Sequence, residues 1–596
     1  THTTKSVNRN RFSGRIFKSC ISPLHFKSLN AFKTVNMQWN YNVPQYPTMP
    51  FLDNFNCKED GKLACVQILP ILDSSEPIIY YNNCKHCLFA ALLRQCTSTP
   101  APSLVFLDKF KHFFNNVIMP EIIELLKDFH YSYAVWYNHL TKEQQDAMDK
   151  LDVNKLDVRY VCIFCKAEKQ ICEGNEIPKN RCISAMCEEH KYVMGPVVYA
   201  LEQYFKKFKG YGGGKNWQET GELFTHWKNE NLTTVIQSDI SGMDRSVTQD
   251  IKKIIGHTLY EYLTPFIHHV NIDVWRLHAT PTTTQILANF YEDNALQSFG
   301  SSNMLGEVFS GSSDTTFFNT LVTICFQRYV MEVHLGFNPD QYGINAKGDD
   351  CVVVAPEFFP KVLIREAFNS VYYQSENIKG EYANLITNFG CGMVLKFLSI
   401  SDYLDDIDFC STNCFYCYDC KTFRLTRKLD RFITLTPWSD SIFNLNYDQQ
   451  SAYLHNLYLS NLKWCDGLPI FSTINNILRT DNYTSYNKAG KSRKQIPLNT
   501  EDHIWYNKMF NHQNVQLIYT LIQQFGKSQA YGLINQVSGI KQCCRNSYIK
   551  WLKHKLTIVD SDIFNIENDI NNHVNGVYHS PTLTIALINF DEYKNC

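Results

Sequence analysis

Asn345-Ala346-Lys347-Gly348-Asp349-Asp350-Cys351-Val352-Val353-Val354 sets two adjacent carboxylates at a Gly-Asp turn and follows them at once with a β-branched run. Its local chemistry reads as strand, tight turn, strand, with the acids at the hairpin tip. Side chains alternate along a strand, so Asp349 and Asp350 point in different directions. One can then face a divalent cation squarely while the other contributes from the side. Gly-Asp is also ordinary solvated turn chemistry, and these letters taken alone favour that blander reading. The segments upstream change the balance.

Next before it comes Ser310-Gly311-Ser312-Ser313-Asp314-Thr315-Thr316-Phe317-Phe318-Asn319-Thr320, a small polar loop turning into a helix that continues through Leu321, Ile324 and Tyr329. Asp314 or Thr315 is the expected cap, and Thr315 and Asn319 share a face at i, i+4. By itself a capped helix accounts for this stretch equally well. Earlier still, Thr233 to Ile240 is an apolar, β-branched strand that brings Asp239 to its end. Asp244 follows near the entrance of a helix marked by Ile251, Ile254, Ile255, Leu259 and Leu263. Upstream again, a strand-like run from Val158 to Ile163 leads into Lys166-Ala167-Glu168-Lys169 and Lys179-Asn180-Arg181. Lys169, Lys179 and Arg181 alone would be a surface patch.

The order of these pieces asks for one chemistry. Nucleotidyl transfer uses two divalent cations about 3.5 to 4 Å apart, one activating the attacking hydroxyl and one stabilising the leaving oxygen. Carboxylates are the hard ligands that suit Mg²⁺, and the ends of adjacent strands bring them within reach of both ions. Asp239 and Asp349 are the expected pair.

Together the segments resemble the viral RNA-dependent RNA polymerases of positive-strand RNA viruses, most closely the tombusvirus-like group. The resemblance rests on Asp239-x4-Asp244 (motif A), Ser310-Gly311-x3-Thr315-x3-Asn319 (motif B) and Gly348-Asp349-Asp350 (the GDD motif, motif C). Around these, Lys166 to Lys169 with Lys179-x-Arg181 is similar to motif F. Gly392-Met393-Val394-Leu395-Lys396 is similar to motif D, and Phe409-Cys410-Ser411 to motif E. The implied fold is α/β (α+β), a right-hand polymerase with fingers, a palm of antiparallel sheet flanked by helices, and a helical thumb. The implied division is a basic arm and linker at 1-52, fingers with an N-terminal extension at 53-232, palm at 233-262, a fingers insertion at 263-304, palm at 305-412, and thumb at 413-596.

Carried over by residue, the resemblance implies that Asp239 and Asp349 bind two Mg²⁺ or Mn²⁺ ions with Asp350 in support. Asp244 and Asn319 would bond to one another and to the ribose 2′-hydroxyl, the group that separates RNA from DNA precursors. Ser310, Gly311 and Thr315 belong to the loop that positions ribose and template. Lys169, Lys179 and Arg181 would offset triphosphate charge in the nucleotide channel. Lys396 would be the general acid for pyrophosphate, a role worth about 10² to 10⁴ in rate. Two departures bear on the subgroup: Ile240-Ser241-Gly242-Met243 lacks a bulky aromatic before Asp244, and Lys179-Asn180-Arg181 replaces Lys-Pro-Arg. Implied partners are RNA template, nascent RNA, ribonucleoside triphosphates and viral or host replication-complex proteins. The implied location is the host cytoplasm, at a membrane-associated complex. Two rivals remain: a reverse transcriptase-like palm polymerase, and a catalytically silent RNA-binding scaffold.

At 596 residues the chain is too long for one simple core. Hydrophobic residues at 44% and charged residues at 19% describe a folded protein. The net charge of -1 means that any phosphate-binding surface must be local. Thr1 to Leu52 carries no acid, and its Lys and Arg fit a solvated arm, a nucleic-acid or lipid contact, or a transit segment. No run of eighteen or more apolar residues marks a transmembrane segment. Most of the 22 Cys read as reduced, buried thiols. Cys410, Cys414, Cys417 and Cys420 raise a structural Zn²⁺ site. It is the less favoured reading, because Cys410 belongs to the motif E resemblance and such short spacings strain a tetrahedron. Lys209-Gly210-Tyr211-Gly212-Gly213-Gly214-Lys215 lacks a P-loop ending and reads as a flexible connection.

Overall fold

The run Val352-Val353-Val354 is buried on both of its faces, and that decides the layering of the molecule. The computed structural model describes residues 16–18, 63–67, 71–72, 78–80, 100–166, 169–171, 181–281, 284–292, 295–304, 309–374, 390–436, 438–439, 454, 457–458, 461, 464–465, 467–478, 542–572 and 577–578. Within them the chain is a mixed helix-and-sheet protein with antiparallel sheets. The strands used below are β1 (Tyr160–Cys165), β2 (Cys182–Met186), β3 (Leu232–Ile240), β4 (Thr284–Glu292), β5 (Ala295–Met304), β6 (Gly343–Lys347), β7 (Asp350–Pro356), β8 (Tyr373–Gln374), β9 (Val394–Ser401), β10 (Asp408–Phe409), β11 (Thr412–Cys417) and β12 (Thr422–Arg427). The helices are α1 (Leu104–Phe113), α2 (Glu188–Phe205), α3 (Trp217–Asn229), α4 (Thr315–Arg328) and α5 (Gln542–Leu556).

The central sheet runs β6-β7-β3-β9-β8, antiparallel except where β8 meets β9. Alternation sends Ile236 and Val353 into one core with residues of α1, α2 and α4. It sends Val235, Val352 and Val354 into another, with Phe224 and Trp227 of α3 and with Phe409 and Leu425. A sheet covered on both faces needs near-continuous apolar strands, which is why the Val run shows no polar alternation.

A second sheet, β5-β4-β1-β2, joins chain from both sides of β3, because β4 pairs in parallel with β1. The third, β10-β11-β12, crosses the expected boundary at 412 and 413. The chain just past 413 is therefore a β-hairpin and not the start of a helical unit. Its pattern was obscured because both faces pack: Cys414 joins the core of Val352, while Phe415 and Cys417 join that of Tyr548 and Leu552 on α5.

The expected interruption at Pro120 takes the form of a π-helical segment, Phe114–Ile118, ahead of an α-helix, Met119–Leu125. Pro120 lies just after that segment in a helix that continues without a break, so its missing N–H falls where the π turn hands over to the α-helix. Expected helices at 83–95 and 504–525, most of that at 448–462, and the basic stretch Lys488 to Lys494 lie outside the described residues. Among the described residues no helix is long and apolar enough to cross a membrane.

Helix α4 is buried all round, so its polar residues need internal partners. Arg328, fully buried, bonds both Glu121 oxygens at 2.6 and 2.7 Å and Glu332 at 2.6 Å. Glu332 in turn accepts from the Tyr342 hydroxyl at 2.6 Å. Arg328→Ala should destabilise the fold by about 3–5 kcal/mol in urea unfolding, because Glu332 keeps only 9% exposure and would be left as an uncompensated buried charge. A loss below about 1 kcal/mol, the range of solvent-exposed pairs, would remove this role.

Candidate active site

Gly348 and Asp349 are the two loop residues between Lys347 and Asp350, which pair across the β6-β7 hairpin. Gly348 takes φ +66°, a conformation that L side chains rarely adopt and primed hairpin turns require. Helix α4 holds the tip from beneath. Thr320 accepts the Gly348 N–H at 2.8 Å, and the Thr323 hydroxyl donates to the Gly348 carbonyl at 2.9 Å.

Register then brings in the third acid. Val352 pairs with Gln237 and Val353 with Ile236. The ladder ends at that first pair; carried two residues further, the same register brings Asp350 toward Asp239 on one face of the sheet, and the Asp239 charge does act on Asp350. On the other side of β3, Leu395 pairs with Ile240 but Phe397 pairs with Asp239, so Lys396 is an extra, bulged residue. Bulges re-aim side chains, and the Lys396 ammonium lies 3.0 Å from the Asp239 carboxylate.

Partial desolvation, then the charges of Asp349 and Asp408 with a smaller share from Asp239, pushes the Asp350 carboxyl up to about 6. A hydrogen bond from the Cys410 thiol opposes the shift. Asp350 is solvent-exposed, so water screens part of this repulsion. Clustered carboxylate oxygens of this kind suit a hard divalent cation, whose charge would relieve the repulsion. Asp408 and Cys410 have no counterpart in the sequence expectation for the metal site. Gln237 fixes Asp408 by accepting its N–H at 3.3 Å and donating to its carbonyl at 2.6 Å. Cys410 and Ser411 form the β10-β11 turn with φ of 51° and 59°, values that side chains other than Gly and Asn rarely take.

Asp244 and Asn319 meet as the resemblance implied, with Asn319 Nδ2 donating to Asp244 Oδ1 at 2.7 Å. A carboxylate only accepts, so this contact fixes the amide orientation. It leaves Asn319 Oδ1 buried with no hydrogen-bond partner among the described residues. No protein-family model matches this chain, and no curated protein matches it. The assignment of chemistry therefore rests on the geometry.

The loop before α4 is built differently from the expectation. Asp314 occupies the N-cap position without a side-chain cap, because its carboxylate accepts from the Tyr260 hydroxyl at 2.6 Å and from Ser312 at 2.5 Å. Ser312 in turn bonds His190 at 3.0 Å. The Thr315 hydroxyl turns back to the carbonyls of Ser312 and Phe309, so it closes the loop and does not reach outward. Ser310 Oγ accepts the Ser184 N–H at 3.1 Å, and Gly311 bridges to Ala185 of β2. That bridge ties the loop to the strand that begins just after Arg181, which is exposed. Lys169 starts a short strand, Lys169–Ile171, paired with Ile78–Tyr80, while Lys179 lies outside the described residues.

Lys209 to Lys215 is not a loose connection. Ala346 and Tyr211 form a bridge, Gly212 donates to the Ala346 carbonyl at 2.7 Å, and Lys215 reaches Asn345 at 3.3 Å. A Cβ on Gly212 would lie 2.7 Å from that carbonyl oxygen, so glycine is what allows the loop to dock on β6.

Proposed function

We propose that this chain is an RNA-directed RNA polymerase. In this reading it joins ribonucleoside triphosphates on an RNA template in the replication and transcription of a positive-strand RNA virus. The central sheet would be the palm, the β5-β4-β1-β2 sheet part of the fingers, and the helices beyond Arg427 the thumb. The observation that carries the reading is the gathering of Asp239, Asp349 and Asp350 at neighbouring ends of β3 and the β6-β7 hairpin, where the first two charges act on the third. Asp239 and Asp349 would hold two Mg²⁺ or Mn²⁺ ions, with Asp350 in support. When bound, such ions supply Lewis-acid activation of the primer 3′-hydroxyl and neutralise triphosphate charge. Asn319 Oδ1 accepts the ribose 2′-hydroxyl, with Asp244 holding the amide in place. Lys396 Nζ gives a proton to the departing pyrophosphate. The setting this implies is a membrane-associated replication complex in host cytoplasm, with viral or host proteins as partners.

The test is incorporation of labelled nucleotides by purified protein on primed and unprimed RNA, with and without Mg²⁺. Ribonucleotide incorporation that needs both template and metal supports the proposal. Preference for deoxynucleotides would transfer it to reverse transcription, and RNA binding without metal-dependent incorporation would leave a silent scaffold.

The pH profile adds a check. Below about 6 Asp350 holds its proton, so incorporation should rise as pH climbs through about 6. Added Mg²⁺ favours the ionised form and should move that limb to lower pH. The sign for stability is opposite. The folded state binds this proton more tightly than the unfolded chain, so the group's contribution is largest at acid pH and is lost as pH rises from 3.8 through about 6. An acid limb that ignores the Mg²⁺ concentration would detach Asp350 from the metal site.

A further inference from the structure

We propose that Cys417, Cys420 and Cys544 form a zinc site that fastens the β11-β12 hairpin to helix α5. The three sulfurs lie within 4.8 Å of one another, and Cys420 and Cys544 are 3.9 Å apart across 124 residues of chain. Zinc–sulfur bonds of about 2.3 Å at tetrahedral angles put sulfurs ~3.8 Å apart, close to the 3.9 Å between Cys420 and Cys544. A disulfide would need a sulfur separation of about 2 Å and would engage only two of the three.

The hairpin is shaped for this. Cys417 ends β11 and Cys420 lies in the turn before β12, where Lys421 takes φ 52°. The Cys420 N–H donates to Cys417 Sγ at 3.4 Å. An N–H directed at sulfur favours the thiolate, the form that binds metal. Cys544 comes from the first turn of α5, beside Tyr548 in the same core as Cys417. Cys417 and Cys544 are buried and Cys420 is half-buried, so solvent reaches the cluster on the Cys420 side and water can complete the tetrahedron there.

This is not the ligand set that spacing suggested. Cys410 donates to Asp350, and Cys414 packs in the separate core of Val352 and Phe409. Thiolates select Zn²⁺ over Mg²⁺, so the site would not compete with the carboxylates for their ions. Binding releases the thiol protons to solvent, and occupancy should fall in acid. The same β-unit carries Asp408 and Cys410 against Asp350, so the zinc would anchor the far end of the hairpin that borders the acids.

The experiment uses the full chain, produced with zinc present and dialysed free of loose metal. One zinc per chain is expected by mass spectrometry of the metal, and Co²⁺ exchanged into the site should give thiolate charge-transfer bands. Cys544→Ser and Cys417→Ser should lose both signals, while Cys414→Ser keeps them. The bands on the wild-type chain serve as the readout should a cysteine variant fail to fold. Wild-type protein with neither zinc nor bands would overturn the site, as would a Cys420–Cys544 disulfide in peptide mapping, or equal metal loss in Cys414→Ser. Metal content is read without RNA synthesis, so this outcome is separate from that of the polymerase proposal.

Discussion

Asp349→Ala should lower template-directed incorporation by ~10³-fold or more while leaving the melting temperature essentially unchanged. Charge stabilisation at a metal-assisted centre is worth several kcal/mol, and about 1.4 kcal/mol corresponds to each factor of ten in rate. The fold should tolerate the change because the hairpin does not depend on this side chain. Asp349 is exposed at the tip. The turn is held by Lys347 pairing with Asp350 and by Thr320 and Thr323 clasping the backbone of Gly348. Removing the charge also takes one of the repulsive neighbours away from Asp350, so any shift in stability should be small and upward. The measurement pairs an incorporation assay with a thermal melt. Synthesis at the wild-type rate by a folded Asp349→Ala protein would end the polymerase proposal, whereas a collapsed melt would call for Asp349→Asn, which keeps the side-chain shape.

Asn319→Ala should reduce the preference for ribonucleotides over deoxynucleotides by roughly 10 to 10²-fold. A site built to hydrogen-bond a substrate hydroxyl rejects the analogue lacking it by up to about 10⁴ to 10⁵, and one neutral or charge-assisted hydrogen bond carries about 1–3 kcal/mol of that. Asn319 is 5% exposed, its amide nitrogen is committed to Asp244, and its oxygen is the orphan acceptor. An unsatisfied buried acceptor is costly, and a ribose 2′-hydroxyl is a donor that could meet it. The variant should lose some stability as well, since Asp244 is deprived of a donor. The ratio of kcat/KM for ribo- and deoxynucleotides separates the roles, because a purely structural defect lowers both alike. An unchanged ratio would remove Asn319 from sugar reading.

Turn chemistry and side-chain periodicity were enough to locate the elements that carry the clustered acids. The Gly348 turn, the strand that delivers Asp239, the start of α4 at Thr315 and the face carrying Asn319 follow from interactions among residues a few positions apart, and those are written locally. Partners far apart in the chain were a different matter. The approach of Asp239 to Asp350 depends on strand register, which is fixed only when both faces of the sheet are covered by α3 and by the core around α4. The bulge that turns Lys396 toward Asp239 is one extra residue in a pairing that no spacing announces. Asp408 and Cys410 reach Asp350 only because the β10-β11-β12 sheet folds against that face. Asp314 gives up its capping bond for Tyr260 and Ser312, a choice made by burial and not by helix propensity. Of the four cysteines close together in sequence only Cys417 and Cys420 converge, and their third partner, Cys544, is brought in by the packing of α5 on the hairpin. Local physics therefore names the residues that can do chemistry, while packing decides which of them meet. Close contact between like charges is unfavourable by itself and persists only where the surrounding structure holds it.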